Sequence, residues 1–430
     1  MKPTPTPAAG RLGSDLLADL DRRLAGTDAF LARAYPGEDG RRQPVHTVYV
    51  PADHYTPGLP GEWGQIASAV VERHGGLDRL CADLGLEPAL ATAVAARVAA
   101  KLRQEPIEDL RLDFEDGYGT RDDEVEDDDA VQAARRLAGA VADGLAPAFV
   151  GLRFKCFEAP TRRRGLRTLD LFLSTLLEAG GLPDGLVLTF PKVSTVSQVE
   201  ALVAACDAYE TAAGLDPGRL RFEIQVETPQ LIMGADGASA VAAAIHAGAG
   251  RVSALHYGTY DYSASLGVAA EYQSLAHPGA DYAKEVMQVA AAGTGVRLAD
   301  GSTNILPLGD EVAVRRAWRL HHDLVRRSLE RAYYQGWDLH PHQLPTRYIA
   351  NFAFYREGFT AAARRLSAYL TKSDSAVLDE PATARALARY LHRGYSCGAL
   401  DAAEIAEAAS ATPAQLEVLA RPRSDTEHLA

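Results

Sequence analysis

The chain alternates between short apolar runs and longer stretches with helical periodicity, and this alternation restricts the folds that it can adopt. The short runs are rich in β-branched and aromatic residues, which predicts clear strands at 46–51, 110–114, 148–154, 185–190, 221–226 and 251–257. Two weaker strand candidates lie between 296 and 308 and at 337–340. Helical patterns separate the strands, and parallel neighbours need such long crossovers. About eight strand-and-helix units over roughly 300 residues predict an α/β fold, and they match a TIM-like (β/α)8 barrel better than an open doubly wound sheet. Periodicity alone does not exclude the open sheet.

Segments on both sides of this region predict additions to the barrel. Residues 1–45 are predicted to form a tail, proline-rich and loose over 1–10, and an N-terminal helix that begins at Ser14. Residues 46–357 form the predicted catalytic barrel, and residues 358–430 form a C-terminal helical extension with helices at 359–370, 381–392 and 402–419. The first crossover, 52–109, is unusually long and contains a helical pattern at 63–103 with a break at Glu87-Pro88.

Charge and cysteine content exclude several classes of protein. The formal net charge of −13 opposes a general affinity for nucleic acid or anionic lipid, because both are polyanions. The four cysteines lie far apart and form no C-x-x-C pair, so neither a zinc knuckle nor a disulfide framework is indicated. No stretch has the apolar length of a membrane helix, and the first residues lack a signal-peptide core. The sequence therefore predicts a cytoplasmic protein with no nucleic-acid partner and no membrane partner.

Charged residues follow the predicted strands at the same end. Because the catalytic groups of TIM barrels lie at the carboxyl ends of the strands, this pattern predicts a functional rim. The residues concerned are Glu115 and Asp116 after strand two, Arg153 and Lys155 at strand three, Lys192 after strand four, Glu227 after strand five, and His256 to Asp261 along strand six.

Glu227 and Asp261 are the best candidates for metal ligands on this rim. A hard cation such as Mg²⁺ takes one or two carboxylates and leaves its other positions to water and substrate oxygens. The alternative is that each acid only caps the helix after its strand. Arg153 has planar donors that match the two oxygens of a substrate carboxylate, or it forms a buried ion pair with Glu115 or Asp116.

Other rim residues allow more than one interpretation. Glu115 and Asp116 are candidates for a general acid and base, although adjacent residues on a strand point to opposite faces and need a bend to reach one atom. Lys192 is a candidate for a Schiff-base lysine if it is desolvated, or it balances the acids around it. Lys155 and His256 are candidate substrate contacts, and a core role is the alternative for His256.

Two conspicuous polar segments are predicted to be structural. The acidic run at 122–129 lacks the glycine and the closing glutamate of an EF-hand, so it is interpreted as a solvated loop leading into a helix. The pair His321-His322 lies on a helical pattern, where exposure is the simpler interpretation. No motif for phosphate-loop nucleotide binding, serine hydrolysis or zinc proteolysis occurs in a useful context.

Seven segments resemble, in order, motifs of the citrate lyase β-subunit and malyl-CoA lyase group within the HpcH/HpaI aldolase superfamily. The resemblance runs from about His46 to about Phe354, and it is specific because all seven segments are in register. The segments are the Val-Pro strand end at 47–51, Leu-Asp-Phe-Glu-Asp-Gly at 112–117 with Ala-Arg at 134–135, Gly-Leu-Arg at 151–153, Phe-Pro-Lys-Val at 190–193, Val-Glu-Thr at 226–228, the Gly-x-x-Asp to Leu-Gly segment at 258–267, and the closing Gly to His-Pro-x-Gln segment at 336–343.

The resemblance implies a TIM-like barrel in which Glu227 and Asp261 bind Mg²⁺, with Mn²⁺ as an alternative, and Arg153 holds the substrate's carboxylate or carbonyl. Glu115 or Asp116 would orient metal-bound water or Arg153. The implied enzyme is a carbon–carbon lyase or aldolase that acts next to a carboxylate or acyl group of a small carboxylic or 2-oxo acid through a metal-stabilised enolate. The group's members commonly assemble as homo-oligomers, which is expected here too.

Two departures from the group affect what is expected of this chain. HpaI-type aldolases have a histidine base shortly after strand two, where this chain has Asp116-Gly117-Tyr118, so the chain lies closer to citrate lyase. The long first crossover and the C-terminal tail border the region where a thioester carrier would enter, which leaves the use of CoA open. The alternatives are a malate-synthase-like condensing enzyme, an acyl-CoA thioesterase, and a barrel that binds a metabolite without catalysis.

Overall fold

Eight parallel strands form one sheet in the computed structural model, which describes residues 12–371 and 380–421. The strand order is β7-β6-β5-β4-β3-β2-β1-β8, and a parallel bridge from Ala299 to Gln335 joins the two ends. The sheet thus closes into the predicted TIM-like barrel. The strands are β1 His46–Pro51, β2 Asp109–Asp113, β3 Phe149–Arg153, β4 Leu186–Phe190, β5 Phe222–Val226, β6 Val252–Tyr257, β7 Arg297–Ala299 and β8 Gly336–Asp338.

Helices lie between the strands and continue beyond the last one. They are α1 Ser14–Ala34, α2 Leu59–Arg73, α3 Gly76–Asp83, α4 Pro88–Gln104, α5 Asp123–Ala142, α6 Arg162–Ala179, α7 Val196–Ala213, α8 Pro229–Ile232, α9 Ala240–Ala247, α10 Thr259–Ser265, α11 Pro278–Ala291, α12 Glu311–Glu330, α13 Leu344–Thr371, α14 Pro381–Ser396, α15 Ala402–Ala409 and α16 Pro413–Ala420.

The core has two large apolar parts. One lies between the barrel strands and their surrounding helices, and the other joins the first crossover to α13 and the C-terminal helices. The predicted boundary between residues 357 and 358 falls inside α13, which begins at Leu344 and not near residue 359 as predicted. Gly358 does not break this helix. A Cβ there would lie 2.3 Å from the Tyr390 hydroxyl, so the glycine allows α14 to pack closely.

Helix boundaries differ from prediction where a residue adopts a left-handed backbone. The predicted helix at 63–103 is divided at Gly75, which has φ +102°, as well as at the predicted break before Pro88. The predicted helix at 402–419 is two helices, because Ser410 adopts φ +54° between them. The N-terminal helix begins at Ser14 as predicted, and none of its residues is buried. The proline-rich tail predicted for residues 1–10 lies outside the described residues.

Two predictions about polar segments were wrong. The acidic run at 122–129 is not a loop, since α5 begins at Asp123, and Glu126 within it is buried where Lys155 and Arg164 contact it. His321 and His322 are both buried rather than exposed. The four cysteines are buried free thiols, as the absence of paired spacing predicts. Among the described helices, none combines the length and hydropathy that a bilayer crossing requires.

Candidate active site

Acidic side chains from three segments gather around Lys192 at the carboxyl end of the barrel. Lys192 Nζ lies 2.8 Å from Asp116 Oδ1 and 3.3 Å from Asp261 Oδ2, and it also contacts Glu115. Glu227 contacts the backbone of the same residue. We call Glu115, Asp116, Lys192, Glu227 and Asp261 the rim cluster.

Glu227 lies directly after β5 and is almost fully buried, with 3% of its surface exposed. Its Oε1 accepts a hydrogen bond of 2.7 Å from the backbone N–H of Lys192, whose φ of +50° is a left-handed conformation that few non-glycine residues adopt. Gly258, at the end of β6, leaves room for Glu227, since a Cβ there would lie 2.7 Å from Oε2. Burial raises the pKa of Glu227 to about 7, while the charge of Lys192 lowers it and that of Glu115 raises it.

Asp261 reaches the same place from the first turn of α10, after β6. Its side chain is 46% exposed, so it faces the mouth of the barrel. Asp261 also contributes to the raised pKa of Glu227. The two acids of the predicted metal pair therefore follow two neighbouring strands, β5 and β6, and both contact Lys192.

The donors of this pair fit Mg²⁺, a hard cation that binds one or two carboxylates and completes its shell with water and substrate oxygen. Over residues 12–371 and 380–421, no group of three or more His, Cys, Asp or Glu residues is arranged to hold a metal ion. The carboxylates of Glu115, Asp116 and Asp261 instead contact the ammonium of Lys192, and that of Glu227 accepts from the backbone N–H of Lys192. A Mg²⁺ ion at this rim would therefore have two carboxylate ligands to draw on, those of Glu227 and Asp261.

Glu115 and Asp116 both contact Lys192 Nζ, which was not expected of adjacent residues on one strand. They do so because β2 ends at Asp113 and the next residues form a turn. Asp113 stabilises that turn, since its carboxylate accepts hydrogen bonds from the backbone N–H groups of Glu115 (3.0 Å) and Gly117 (2.8 Å). The turn supplies the bend that brings both acids to one atom.

Arg153 uses most of its donors within the barrel. Its Nε and Nη2 each donate to Asp113 at 2.6 Å, and the guanidinium lies over the Tyr49 ring at 4.8 Å. Only Nη1 points elsewhere, at 3.4 Å from both Gln225 Oε1 and Glu115 Oε2. Asp113, which the sequence analysis did not single out, is therefore the main partner of Arg153.

Gln225 is a second residue that the sequence analysis missed. It lies on β5 two residues before Glu227, so both side chains point into the barrel. Its Nε2 is buried and has no hydrogen-bond partner within the described part of the chain. A buried amide donor without a partner is costly, and a ligand oxygen would satisfy it.

Lys155 and His256 lie away from the rim cluster. Lys155 Nζ donates to Glu126 (2.6 Å) and to the Phe114 carbonyl (2.8 Å), which fastens α5 to the end of β2. His256 Nε2 lies 3.1 Å from Glu223 Oε2 inside the barrel. Lys155 thus has hydrogen-bond partners in the protein, while His256 faces Glu223 and its Nε2 makes no hydrogen bond within the described residues.

The barrel interior below the rim holds charged residues rather than the mostly apolar side chains that barrels usually contain. Arg111 contacts Asp109 and donates to Glu223 at 2.9 Å, and all three are buried. Tyr49 Oη lies 3.1 Å from Glu223. The sequence signal for this group is the alternation Asp-Leu-Arg-Leu-Asp at 109–113, which directs every charged residue of β2 inward.

Comparisons with known proteins identify a family and several similar folds. A sequence comparison with curated proteins finds no match to this chain. The solved structures that match include Haloferax volcanii malate synthase in a magnesium/glyoxylate complex, with 14% identity over 89% of this chain and 99% of that chain and a TM-score of 0.48. They also include the lead(II) complex of that malate synthase, with 17% identity, 60% and 68% coverage and a TM-score of 0.45.

A citrate lyase β subunit from M. tuberculosis, complexed with oxaloacetate and magnesium, matches with 16% identity over 73% of this chain and 98% of that chain, at a TM-score of 0.41. A family model described as a domain of unknown function, DUF6986, matches residues 24–424. Because that match spans nearly the whole chain, the protein belongs to the DUF6986 family.

Proposed function

We propose that the protein is a Mg²⁺-dependent carbon–carbon lyase or aldolase that acts on a small carboxylic or 2-oxo acid through an enolate. The observation that carries the proposal is the convergence of Glu227 and Asp261 on Lys192 at the carboxyl end of the barrel. Such an arrangement concentrates negative charge where a divalent cation and an anionic substrate are brought together.

Glu227 and Asp261 would hold the cation, whose positive charge would stabilise negative charge that develops on a substrate oxygen. Arg153 would bind the substrate's carboxylate mainly through Nη1, because Nε and Nη2 each donate to Asp113. Gln225 Nε2, which has no partner among the described residues, would donate a second hydrogen bond. Asp113 acts here as a positioning residue.

Glu115 is the better candidate of the two acids for carrying a proton. Burial raises the pKa of its carboxyl above the ordinary value, although Arg153 and Lys192 oppose the change. Asp116 is more exposed, and although burial raises the pKa of its carboxyl, hydrogen bonds with Lys192 and Glu115 and the charge of Lys192 lower it overall. A carboxyl that holds its proton closer to neutral pH exchanges it more readily during turnover.

Lys192 would act as a fixed cation and not as a Schiff-base nucleophile. Burial lowers the pKa of Lys192, but the charges of Glu227, Glu115 and Asp116 more than offset this, and the net pKa is raised. A Schiff-base lysine needs the opposite shift, because only the neutral amine attacks a carbonyl. Borohydride treatment with pyruvate present is expected to leave the protein's mass unchanged, and a trapped adduct would overturn this assignment.

Replacing Lys192 by methionine is expected to strengthen Mg²⁺ binding about tenfold, because the ammonium competes with the cation for the same carboxylates. Isothermal titration calorimetry with MgCl₂ measures the change. Lys192→Arg keeps the charge and serves as the matched control, with affinity close to that of the wild type. Unchanged or weaker binding in Lys192→Met would show that the ammonium and Mg²⁺ do not share the site.

Mg²⁺ binding is expected to depend on pH through Glu227. Because burial raises its pKa to about 7, the metal-free carboxyl is mostly protonated below that value and must lose a proton to become a ligand. The apparent affinity should rise up to about tenfold per pH unit below pH 7 and level off above it. Calorimetry in buffers of different ionisation enthalpy measures the released proton, and equal proton release at about pH 6 and pH 8 would contradict the assignment.

The function itself is tested by a substrate panel with the full chain. Mg²⁺ and 2-oxo or hydroxy acids are supplied alone, and glyoxylate with acetyl-CoA is supplied in parallel, with EDTA as the control. Metal-dependent cleavage or aldol formation supports the proposal. Activity only with acetyl-CoA would favour a condensing enzyme or a thioesterase, and no turnover with no Mg²⁺ binding would favour a barrel that only binds a metabolite.

Assembly into a homo-oligomer remains part of the proposal. The N-terminal helix α1 supports it, because apolar residues such as Leu17, Leu20 and Leu24 are exposed along it. Light scattering of the full chain measures its mass in solution, and a monomer mass would exclude the oligomer.

A further inference from the structure

A cavity of about 580 Å³ lies at the amino-terminal end of the barrel, opposite the rim cluster. Residues 37–43 before β1 and the segment leading into β7 form one wall. α14 and the end of α16 form the other wall. The cavity therefore separates the base of the barrel from the C-terminal helices.

The lining of this cavity is basic, although the protein as a whole carries a net charge of −13. Seven arginines and only two carboxylates line it. The barrel side contributes Arg41, Arg42 and Arg297, while α14 contributes Arg385, Arg389 and Arg393. Such a local reversal of charge attracts anions despite the negative total.

The two lining carboxylates do not balance these arginines. Asp39 is shared by Arg41 (2.7 Å) and Arg297 (3.5 Å). Glu38 is shared in the same way by Arg393 at 2.9 Å and Arg389 at 3.5 Å. The shared carboxylates leave positive charge on both walls.

Several arginines of this region lack a full set of partners. Arg385 has no carboxylate partner in the described part of the chain, and its side chain is partly exposed to the cavity. Arg42 pairs with Glu105 and Glu108 at 2.8 Å each through Nη2, while its Nε is buried without a hydrogen-bond partner among the described residues. Next to the cavity, Arg221 Nε is buried without a hydrogen-bond partner among the described residues.

Neighbouring positive charges also act on one another at the barrel wall. Burial lowers the pKa of Arg221, and the charge of Arg41 lowers it further. Burial, Arg41 and Arg221 likewise lower the pKa of Arg297, against the opposing charge of Asp39. Like charges held this close repel each other, and a bound anion would relieve that repulsion.

We propose that this cavity binds a small polyanion that carries two or more phosphate or carboxylate groups. Guanidinium groups match the paired oxygens of both groups, and arginines on two opposite walls suit a ligand with negative charge at both ends. The volume lies within the range of small-molecule sites. This site is separate from the rim cluster and does not depend on the proposed reaction.

Calorimetry on the full chain without Mg²⁺ tests the proposal, with pyrophosphate and citrate as probes for the two chemistries. We expect one of them to bind with a stoichiometry of one, with an affinity that falls as the salt concentration rises. Inorganic phosphate and acetate should bind at least about tenfold more weakly, because each reaches only one wall. No heat and no thermal stabilisation with either polyanion at millimolar concentration would overturn the proposal.

Variants locate the binding site. Arg385→Ala with Arg389→Ala should weaken binding at least about tenfold, and Arg385→Lys with Arg389→Lys should restore part of it because the point charge remains. Arg41→Ala, on the opposite wall and largely exposed, should weaken binding with little effect on folding. Arg167→Ala, an exposed arginine on α6, is the matched control and should stay within about twofold.

The rim cluster must be excluded as the place where the probes bind. Lys192→Met removes the cation of the rim cluster and should bind the polyanion as the wild type does, since it lies at the other end of the barrel. Binding that is lost in Lys192→Met and kept in the arginine variants would place the probe at the rim and refute the cavity.

Discussion

Replacing Glu227 by glutamine is expected to lower turnover about a thousandfold while the barrel stays folded. Glutamine keeps the shape of the side chain but removes the charge that would hold the cation. Glutamine also avoids the free energy of ionising a buried carboxyl. Burial raises the pKa of Glu227 to about 7, so ionising it inside the protein lowers the free energy of unfolding by up to about 3 kcal/mol. The variant should therefore unfold at the same temperature as the wild type or higher at about pH 8.

Steady-state kinetics and thermal unfolding measure the two effects separately. Asp261→Asn should give a smaller loss of turnover, because Asp261 is half exposed and water can take its place. Glu271→Gln changes an exposed carboxylate outside the rim cluster and is the matched control. Activity retained in both Glu227→Gln and Asp261→Asn would remove the metal hypothesis altogether.

Replacing Arg111 by methionine is expected to lower the free energy of unfolding by about 3 to 5 kcal/mol. The guanidinium holds Asp109 and Glu223 inside the barrel, and both carboxylates would be left buried without it. Burial alone raises the pKa of Glu223, but Arg111 and His256 offset this, and the net pKa is lowered. Without Arg111, burial would raise the pKa of Glu223 above its ordinary value.

The same reasoning gives the expected pH dependence of this variant. In the wild type, the lowered pKa of Glu223 contributes stability above its unfolded value, which is lost as the pH falls through the folded value. In Arg111→Met the carboxyl would be buried in its neutral form, so the deficit should be smaller at about pH 5 than at about pH 8.

Urea denaturation at both pH values measures the deficit of Arg111→Met. Arg167→Met replaces an arginine that is half exposed on α6 and should change stability by no more than about 0.5 kcal/mol. A change below about 1 kcal/mol in Arg111→Met would mean that the buried charges are compensated in some other way.

Local patterns in the sequence were sufficient to predict the barrel and the direction of its rim. Each clear strand lies within two residues of its predicted bounds, because β-branched runs bounded by turn residues are a strong local signal. The placement of Glu227 and Asp261 at one rim follows from parallel pairing, since all strand ends then lie on one side. The residues that contact each other at the rim were harder to predict.

Contacts between distant segments account for what the sequence could not show. Lys192 meets Glu115 and Asp261 across several strands, and the turn that Asp113 stabilises decides which way Glu115 points. The pairing of Arg153 with Asp113 depends on the register of β2 and β3. The arginine-lined cavity forms only when α14 packs against the barrel base, and no local periodicity encodes such a docking.

The single helix α13 runs without a break from the end of β8 to the arginine cavity. Arg347, in its first turns, binds Asp338 at the end of β8, while Tyr355 farther along lines the arginine cavity. A helix of 28 residues is about 42 Å long, because each residue adds about 1.5 Å along the axis. One continuous helix thus contacts both the end of β8 and the arginine cavity, so packing changes at either place act on the same element.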